Sequence, residues 1–229
     1  MEKSDSYKFK KEIANRNITC LVHFTPTINL LSILERGFIY SRKRLEELSI
    51  SVPELKDYVE FTDKIRFDDK NYINTSIEFP NSELFKRFRR KDSDMAFIDW
   101  CVIKISYHYI YDYETLFSVT NAANSYNRNF IGIDGSYEKF LQMFVPSLEI
   151  CSHWGQKHIL RNNLKDSFTT DVQAEVLIKN DIPIKDIIEV CFNSQESLEN
   201  TKVALSYFCK SLPNMKVCKE LFLDRSLIC

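Results

Sequence analysis

One carboxylate lies in an apolar segment near residue 175. The segment from 170 to 178 reads Thr-Asp-Val-Gln-Ala-Glu-Val-Leu-Ile. Because side chains alternate between the faces of a strand, Gln173, Glu175 and Leu177 are predicted to share one face. A carboxylate among apolar side chains is disfavoured unless it has a partner or a chemical task. Glu175 is therefore the first catalytic candidate, suited to stabilising positive charge on a ligand that Gln173 helps to hold.

A second polar pair lies in a short predicted strand, His23-Phe24-Thr25, just before a helix predicted from Thr27 to Gly37. His23 and Thr25 are two residues apart and so share a strand face. Beside a helix N-terminus they could bind polar groups of a nucleotide. The alternative, which spacing alone favours, is an ordinary strand histidine with Thr25 helping to cap the helix.

Arg66 precedes a strand predicted from Asn71 to Phe79. A guanidinium fork can hold a diphosphate or a carboxylate through two hydrogen bonds, which makes Arg66 a candidate ligand-binding residue. The alternative is a surface arginine paired with Asp68 or Asp69, and on its own the residue favours that interpretation.

A basic run follows in a predicted helix. Residues 85 to 91 read Phe-Lys-Arg-Phe-Arg-Arg-Lys, so five cations accompany two aromatic side chains. Cations neutralise phosphates and aromatic rings stack on bases, so Lys86, Arg87, Arg89 and Arg90 could follow a single strand of nucleic acid. The alternative is a solvated helix face, with Phe85 and Phe88 turned to the core three residues apart. Both interpretations remain open.

Composition narrows the function classes. The formal net charge of −1 over 229 residues gives no general attraction to nucleic acid, so any such binding must come from a local patch. The seven cysteines are scattered without a CxxC pair, which predicts reduced thiols, no metal site and a cytoplasmic protein. We find no secretory signal and no apolar run that could span a membrane. Phosphate-binding glycine loops, GxGxxG and nucleophile-elbow motifs are also missing, which argues against P-loop enzymes, dinucleotide dehydrogenases and α/β-hydrolases.

The predicted elements are short strands mixed with peripheral helices, which indicates one α+β domain over residues 1–229. Strands are predicted at 22–25, 71–79, 96–107, 175–178, 187–192 and 217–221, and helices at 27–37, 42–60, 82–90, 136–144 and 196–212. The rest of 121–164 is predicted to be irregular.

Taken together, these segments resemble the DarT family of DNA ADP-ribosyltransferase toxins. The resemblance spans roughly residues 20 to 190, and the order and spacing of its parts make it specific. It is carried by four stretches: His23-Phe24-Thr25 with Asn29-Leu30, Ser32-Ile33-Leu34 and Gly37; Arg66 and Asp68 with Tyr72 to Ile77 and Pro80-Asn81; Leu116-Phe117-Ser118 with Asn121-Ala122-Ala123; and Thr170 to Leu177 with Ile182-Pro183.

The resemblance implies an ADP-ribosyltransferase fold, with two small mixed β-sheets forming an NAD cleft and helices at the periphery. It implies NAD as the donor, no metal, and a guanine or thymine base of single-stranded DNA as the acceptor. A macrodomain antitoxin like DarG would be the partner, in a toxin–antitoxin or phage-defence system. By residue, it places His23, Phe24, Thr25, Asn29 and Gly37 against NAD, makes Arg66 catalytic and NAD-contacting, makes Glu175 the catalytic glutamate, and assigns Gln173 to the acceptor.

The sequence departs from the family pattern at Val172, where a proline is usual, and at Phe38, where a leucine is usual. The segment after Gly37 varies in length within the family, which leaves Arg42 and Arg44 as substitutes for Arg66. Two other functions remain open: transfer to RNA or protein by the same fold, and a catalytically inactive nucleic-acid-binding module.

Overall fold

The computed structural model describes residues 1–48, 69–91, 99–129, 132–152 and 155–228, without the side chains of 90–91 and 128–129. The helices described are α1 (Ser6–Arg16), α2 (Asn29–Arg36), α3 (Arg42–Glu47), α4 (Ser82–Lys91), α5 (Tyr126–Asn129), α6 (Tyr137–Gln142) and α7 (Gln195–Ser206). The strands described are β1 (Cys20–Pro26), β2 (Phe38–Ile39), β3 (Ile73–Ile77), β4 (Trp100–Ser106), β5 (Leu116–Ser118), β6 (Ile133–Asp134), β7 (Ser147–Ser152), β8 (Gly155–Leu160), β9 (Glu175–Ile178), β10 (Ile182–Pro183), β11 (Ile187–Phe192) and β12 (Met215–Val217).

Strand β3 joins two halves of an eight-stranded order, β12-β11-β4-β1-β3-β9-β5-β6. Its last two residues, Ser76 and Ile77, pair with β1, whereas its first three, Ile73 to Thr75, pair with β9. The β11–β12 pair is parallel and the other pairs of this order are antiparallel. The predicted α+β architecture is therefore confirmed, and the two small sheets correspond to the halves that meet at β3.

The alternation of side chains along β1 builds two apolar clusters on its opposite faces. Leu21 joins the larger cluster, in which α1 and α6 pack on the sheet through Phe9 and Phe140. The rings of these two residues lie 5.4 Å apart. Cys20 and Val22 face the other cluster, which α4 closes.

The strongest patterns predicted their elements well. The strand at 187–192 and the strand at 175–178 match β11 and β9, and α2 ends at Gly37 as predicted. Two expectations are wrong. Residues 219–222 form a 3₁₀ helix instead of continuing a last strand. The segment expected to be irregular contains the β7–β8 pair. In β7, buried Leu148 and Ile150 alternate with exposed neighbours, a pattern that is typical of a strand.

Candidate active site

Glu175 is the first residue of β9 and is almost completely buried, with 4% of its surface exposed. Strands β3 and β5 flank β9 on its two edges, which explains the burial. Three donors reach the carboxylate. The side chain of Asn74 and the backbone N–H of Ala122 donate to Oε2 at 3.2 and 2.8 Å, and the side chain of Asn121 donates to Oε1 at 3.2 Å. The prediction of a carboxylate within a buried strand is confirmed.

Burial raises the pKa of Glu175 to about 7 because the charged form loses its hydration. The hydrogen bonds from Ala122 and Asn74 oppose this rise, and the nearby Asp171 carboxylate adds to it. The side chain is therefore held close to the point where it changes charge at neutral pH, which is typical of groups that act in catalysis.

Asn74 also connects Glu175 to His23. The backbone carbonyl of Asn74 lies 2.9 Å from Nδ1 of His23, at the point where β3 leaves β1 for β9. Desolvation lowers the pKa of His23, so its ring is neutral near pH 7. The structure thus brings together two of the predicted site residues, one from each half of the sheet.

Thr25 and Asn29 form a buried pair at the start of α2. The Asn29 side chain donates to the Thr25 hydroxyl at 2.8 Å, and both residues are less than 10% exposed. Ile28 occupies the N-cap position of α2 without a side-chain cap bond. Thr25 therefore anchors the side chain of Asn29 in the structure described.

Phe24 and Gly37 have roles in packing and in chain direction. The Phe24 ring stacks on Phe85 with 4.6 Å between centroids, so it joins the cluster under α4. Gly37 has φ of +80°, a left-handed conformation that favours glycine at a helix C-terminus. Its carbonyl accepts from the N–H of Ile184, which joins the end of α2 to the β10 region.

Gln173 lies in the turn before β9, so the prediction that it shares a strand face with Glu175 is wrong. The turn is closed by the N–H of Ala174, which donates to the carbonyl of Asp171. The Gln173 side chain donates to Glu83 of α4 at 2.8 Å, and Glu83 also pairs with Lys157 of β8 at 3.2 Å. Gln173 therefore links the Glu175 turn to helix α4.

The basic run divides along α4. Lys86 and Arg87 are exposed, as a contact to nucleic acid requires. Arg89 is half-buried: it donates to the carbonyl of Phe222 at 2.8 Å and lies 4.8 Å from the ring centroid of Phe85. Phe85 is fully buried, so α4 combines both interpretations, an apolar face toward the core and exposed cations on the other side. The side chain of Arg90 lies outside the described residues.

Arg66 lies outside the described residues. Of its two substitutes, Arg44 pairs with Glu47 at 3.3 Å and with Asp181 at 3.6 Å. Arg42 is half-buried, and burial lowers its pKa.

Among the described residues, one group brings metal-ligand atoms together: Glu189, Cys191 and Cys218. The group was not predicted from the sequence because Cys218 is distant from the other two residues in the chain. The Glu189 carboxylate already binds the ammonium of Lys104 at 2.8 Å and the amide of Asn214 at 3.0 Å. A cation bound to this carboxylate would meet the positive charge of Lys104, so the group does not favour a metal. Within the described ranges, the helices lack the length and apolar character needed to cross a membrane.

Residues 22–222 match the profile of the family described as DarT, ssDNA thymidine ADP-ribosyltransferase. The chain belongs to the DarT family. This membership confirms the predicted enzyme class, an ADP-ribosyltransferase that uses NAD. A search of curated proteins gives no match.

Solved DarT structures share the fold at low sequence identity. Thermus sp. 2.9 DarT in complex with NAD+ matches with a TM-score of 0.59 and 15% identity, over 90% of this chain and 98% of that one. The same protein in complex with ADP-ribosylated ssDNA matches with a TM-score of 0.56 and 14% identity, over 90% and 97% of the chains. Thermosipho africanus DarTG in complex with ADP-ribose matches with a TM-score of 0.50 and 16% identity, over 89% of this chain and 51% of that one.

The three residues that donate to Glu175 in this DarT-family chain were given no role from the sequence. Asn74, Asn121 and Ala122 all lie in stretches that carry the family resemblance, and that was the available indication. Their convergence depends on β3 and β5 flanking β9, a pairing that residue types alone do not specify.

Proposed function

We propose that this protein transfers ADP-ribose from NAD to a base of single-stranded DNA, thymine in the first instance, as the toxin of a toxin–antitoxin or phage-defence pair. The observation that carries the proposal is the buried Glu175 carboxylate, held by three donors at the junction of the two half-sheets. The family description names ssDNA thymidine, and related structures contain NAD+ and ADP-ribosylated ssDNA.

In the proposed reaction the bond between C1′ of the ribose and the nicotinamide nitrogen breaks, and nicotinamide leaves with the bonding electrons. Positive charge develops on the ribose, and ionised Glu175 stabilises it. A ring nitrogen of the base bonds to C1′ and releases its proton to solvent. The base must be unstacked to reach C1′, which costs little in a single strand and a few kcal/mol in a duplex.

The NAD-binding part of the proposal is centred on His23 and on helix α2. Asn74 contacts both neutral His23 and Glu175, so only this residue separates the two. A dinucleotide bound along β1 would therefore bring its ribose near the carboxylate. Thr25, Asn29 and Gly37 fix the two ends of α2 and support this surface. The ring of Phe24 supports it from the opposite side.

Arg66 is proposed to neutralise the diphosphate and to polarise the incoming base. The Arg66→Ala variant should then lower kcat by more than a simple loss of binding would. Parallel Arg42→Ala and Arg44→Ala variants test the substitutes; a kcat loss in one of them, with normal Arg66→Ala kinetics, would move the role.

The DNA-binding part of the proposal rests on exposed Lys86 and Arg87, with Arg90 as a further predicted contact. The bond of Arg89 to the Phe222 carbonyl weighs against a free role for it in DNA binding. Gln173 is proposed to act on the acceptor side from its turn, where it is tied to Glu83.

The deciding experiment incubates the protein with labelled NAD and separate pools of single-stranded DNA, RNA and protein. Label on DNA supports the proposal, whereas label only on RNA or protein selects the second candidate function, and no label selects the inactive binding module. Mass spectrometry of a modified oligonucleotide then identifies the base, with guanine as the outcome that would correct thymine.

The remaining parts of the proposal are a single domain over 1–229, a cytoplasmic location and a macrodomain antitoxin like DarG. The DarTG structure that resembles this chain supports such a partner. Removal of the mark from DNA by a purified macrodomain is the test.

A further inference from the structure

The loop after β5 supplies two of the three donors that hold Glu175, and one side chain spans the base of that loop. Asn127 of α5 donates through Nδ2 to the carbonyls of Asn121 and Ala122, at 2.9 and 3.1 Å. The same nitrogen lies 3.2 Å from the hydroxyl of Ser118. Ser118 is the residue of β5 that pairs with Glu175 across the sheet.

We propose that Asn127 is a positioning residue, which holds the 118–122 segment in the shape that presents the Ala122 amide and the Asn121 side chain to Glu175. The inference rests on the function proposed above, because it gives Asn127 its importance through Glu175.

The contacts explain how this works. Because the peptide unit is planar and trans, a carbonyl oxygen that is held in place fixes the direction of the N–H of the following residue. With the Asn121 carbonyl held by Asn127, the N–H of Ala122 in the same peptide is directed at Oε2 of Glu175, 2.8 Å away. The Asn121 side chain is oriented in addition by its oxygen, which accepts from the N–H of Ala123 at 3.0 Å.

The backbone of Gly132 lies close against Asn127. A Cβ placed on Gly132 would lie 2.6 Å from Cα of Asn127, a distance too short for any side chain. Only glycine allows this approach, so a side chain at position 132 and Asn127 cannot both keep the positions they have here. Gly132→Ala therefore displaces Asn127 without removing a polar group or adding a charge.

Other titratable groups lie around Glu175. Asp171 faces Glu175 from the turn before β9, Glu83 and Lys157 act on Asp171, and His23 reaches Glu175 through Asn74. Thr120 of the 118–122 segment bonds to Asp171. The hydrogen bonds of Asn127 go to none of the four titratable groups, so a change at Asn127 affects Glu175 through the loop, both directly and by way of Thr120 and Asp171.

The test compares Asn127→Ala, Asn127→Ser and Gly132→Ala with Asn71→Ala. Asn71 lies outside this loop, and its side chain donates to Asp69. Weakening the Ala122 bond should shift the acid limb of the pH–rate profile to higher pH by about one unit and lower kcat about tenfold below neutral pH. The KM for NAD of all these variants and the pH–rate profile of Asn71→Ala should stay as in the wild type.

A second measurement does not depend on turnover. The pKa of Glu175, followed by carbon NMR without ligand, should rise in the same variants whose acid limb moves to higher pH. Asn127→Ser replaces the amide with a smaller hydroxyl, and it is the variant to measure if Gly132→Ala does not fold. Folded variants that keep the wild-type Glu175 pKa and acid limb overturn the inference. Transfer by the wild-type protein, measured in parallel, separates the two levels: no label on single-stranded DNA overturns the proposed function itself, whereas labelled DNA leaves that function standing whatever Asn127 does.

Discussion

Asn74 donates its side-chain amide to Glu175 across the junction of the two half-sheets, with 3.2 Å between Nδ2 and Oε2. The backbone carbonyl of Asn74 meets the His23 ring on the other side. One residue of β3 therefore touches both the proposed NAD-binding strand and the proposed catalytic carboxylate. Its position would allow the two to act on one substrate, as proposed, although they belong to different halves of the sheet.

Replacing Glu175 with Gln should abolish most transfer while leaving the fold intact. The amide keeps the shape of the side chain but cannot carry the negative charge that stabilises the ribose cation. We expect a fall in kcat of about a hundredfold or more. The measurement is single-turnover transfer to a labelled oligonucleotide, with circular dichroism as the check on folding. A folded Glu175→Gln or Glu175→Ala variant with near-normal transfer would refute the catalytic assignment.

The pH dependence of kcat/KM should show an acid limb near pH 7. The pKa of Glu175 is raised to about 7 by burial, so the carboxylate is ionised above that pH and protonated below it. Transfer should therefore be lost as the pH falls through about 7, roughly tenfold per unit well below the pKa. Profiles of wild type taken with short assays, and with recovery checked after return to pH 8, distinguish this from acid unfolding. An acid limb near pH 4.5 would show that burial does not act on this group.

Replacing Asn74 with Ala removes a donor to the ionised carboxylate. Because such a bond stabilises the charged form by about 1.5–3 kcal/mol, kcat should fall about ten- to a hundredfold and the acid limb should move to higher pH. Asn71→Ala is the matched control, since Asn71 lies just before β3 and its side chain bonds only to Asp69 among the contacts described. Equal effects of the two changes would argue against a specific role for Asn74.

The stability of the protein should also depend on Glu175. The folded carboxyl binds its proton more tightly than the unfolded one, so the native state holds more protons between pH 4.5 and about 7. The free energy of unfolding should therefore fall as the pH rises through this window, by about 3 kcal/mol from this group. Urea unfolding at pH 5 and pH 8 should show that Glu175→Gln loses this part of the slope. Parallel slopes for both proteins would contradict the raised pKa.

The two halves of the basic run should respond differently to substitution. The double variant Lys86→Ala/Arg87→Ala should bind single-stranded DNA less tightly and lower the salt slope of binding by about 1.4, since two phosphate contacts are lost. Arg89→Ala should instead lower the melting temperature, because it removes the bond to the Phe222 carbonyl and the contact with the Phe85 ring. Unchanged affinity and slope in the double variant would defeat the proposed DNA contact.

The sequence was sufficient to single out Glu175 because a lone carboxylate in an apolar run is unusual, and the structure places it where expected. Spacing alone did not decide between the two interpretations of His23, and its contact with Asn74, which supports the proposed role, depends on β3 lying beside β1. The roles of Asn121 and Asn127 could not be predicted, since asparagines in a loop have many local partners and only the pairing of β5 with β9 selects one. Gln173 was misplaced because the strand alternation was extended two residues too far, into a turn closed by Ala174.

The first three residues of strand β3 pair with β9, and its last two residues pair with β1. Any molecule that spreads or draws together the two half-sheets must therefore bend this single ribbon between Thr75 and Ser76. Hydrogen–deuterium exchange at these two amides would therefore report such a change in the sheet, including in a variant that can no longer cleave a dinucleotide.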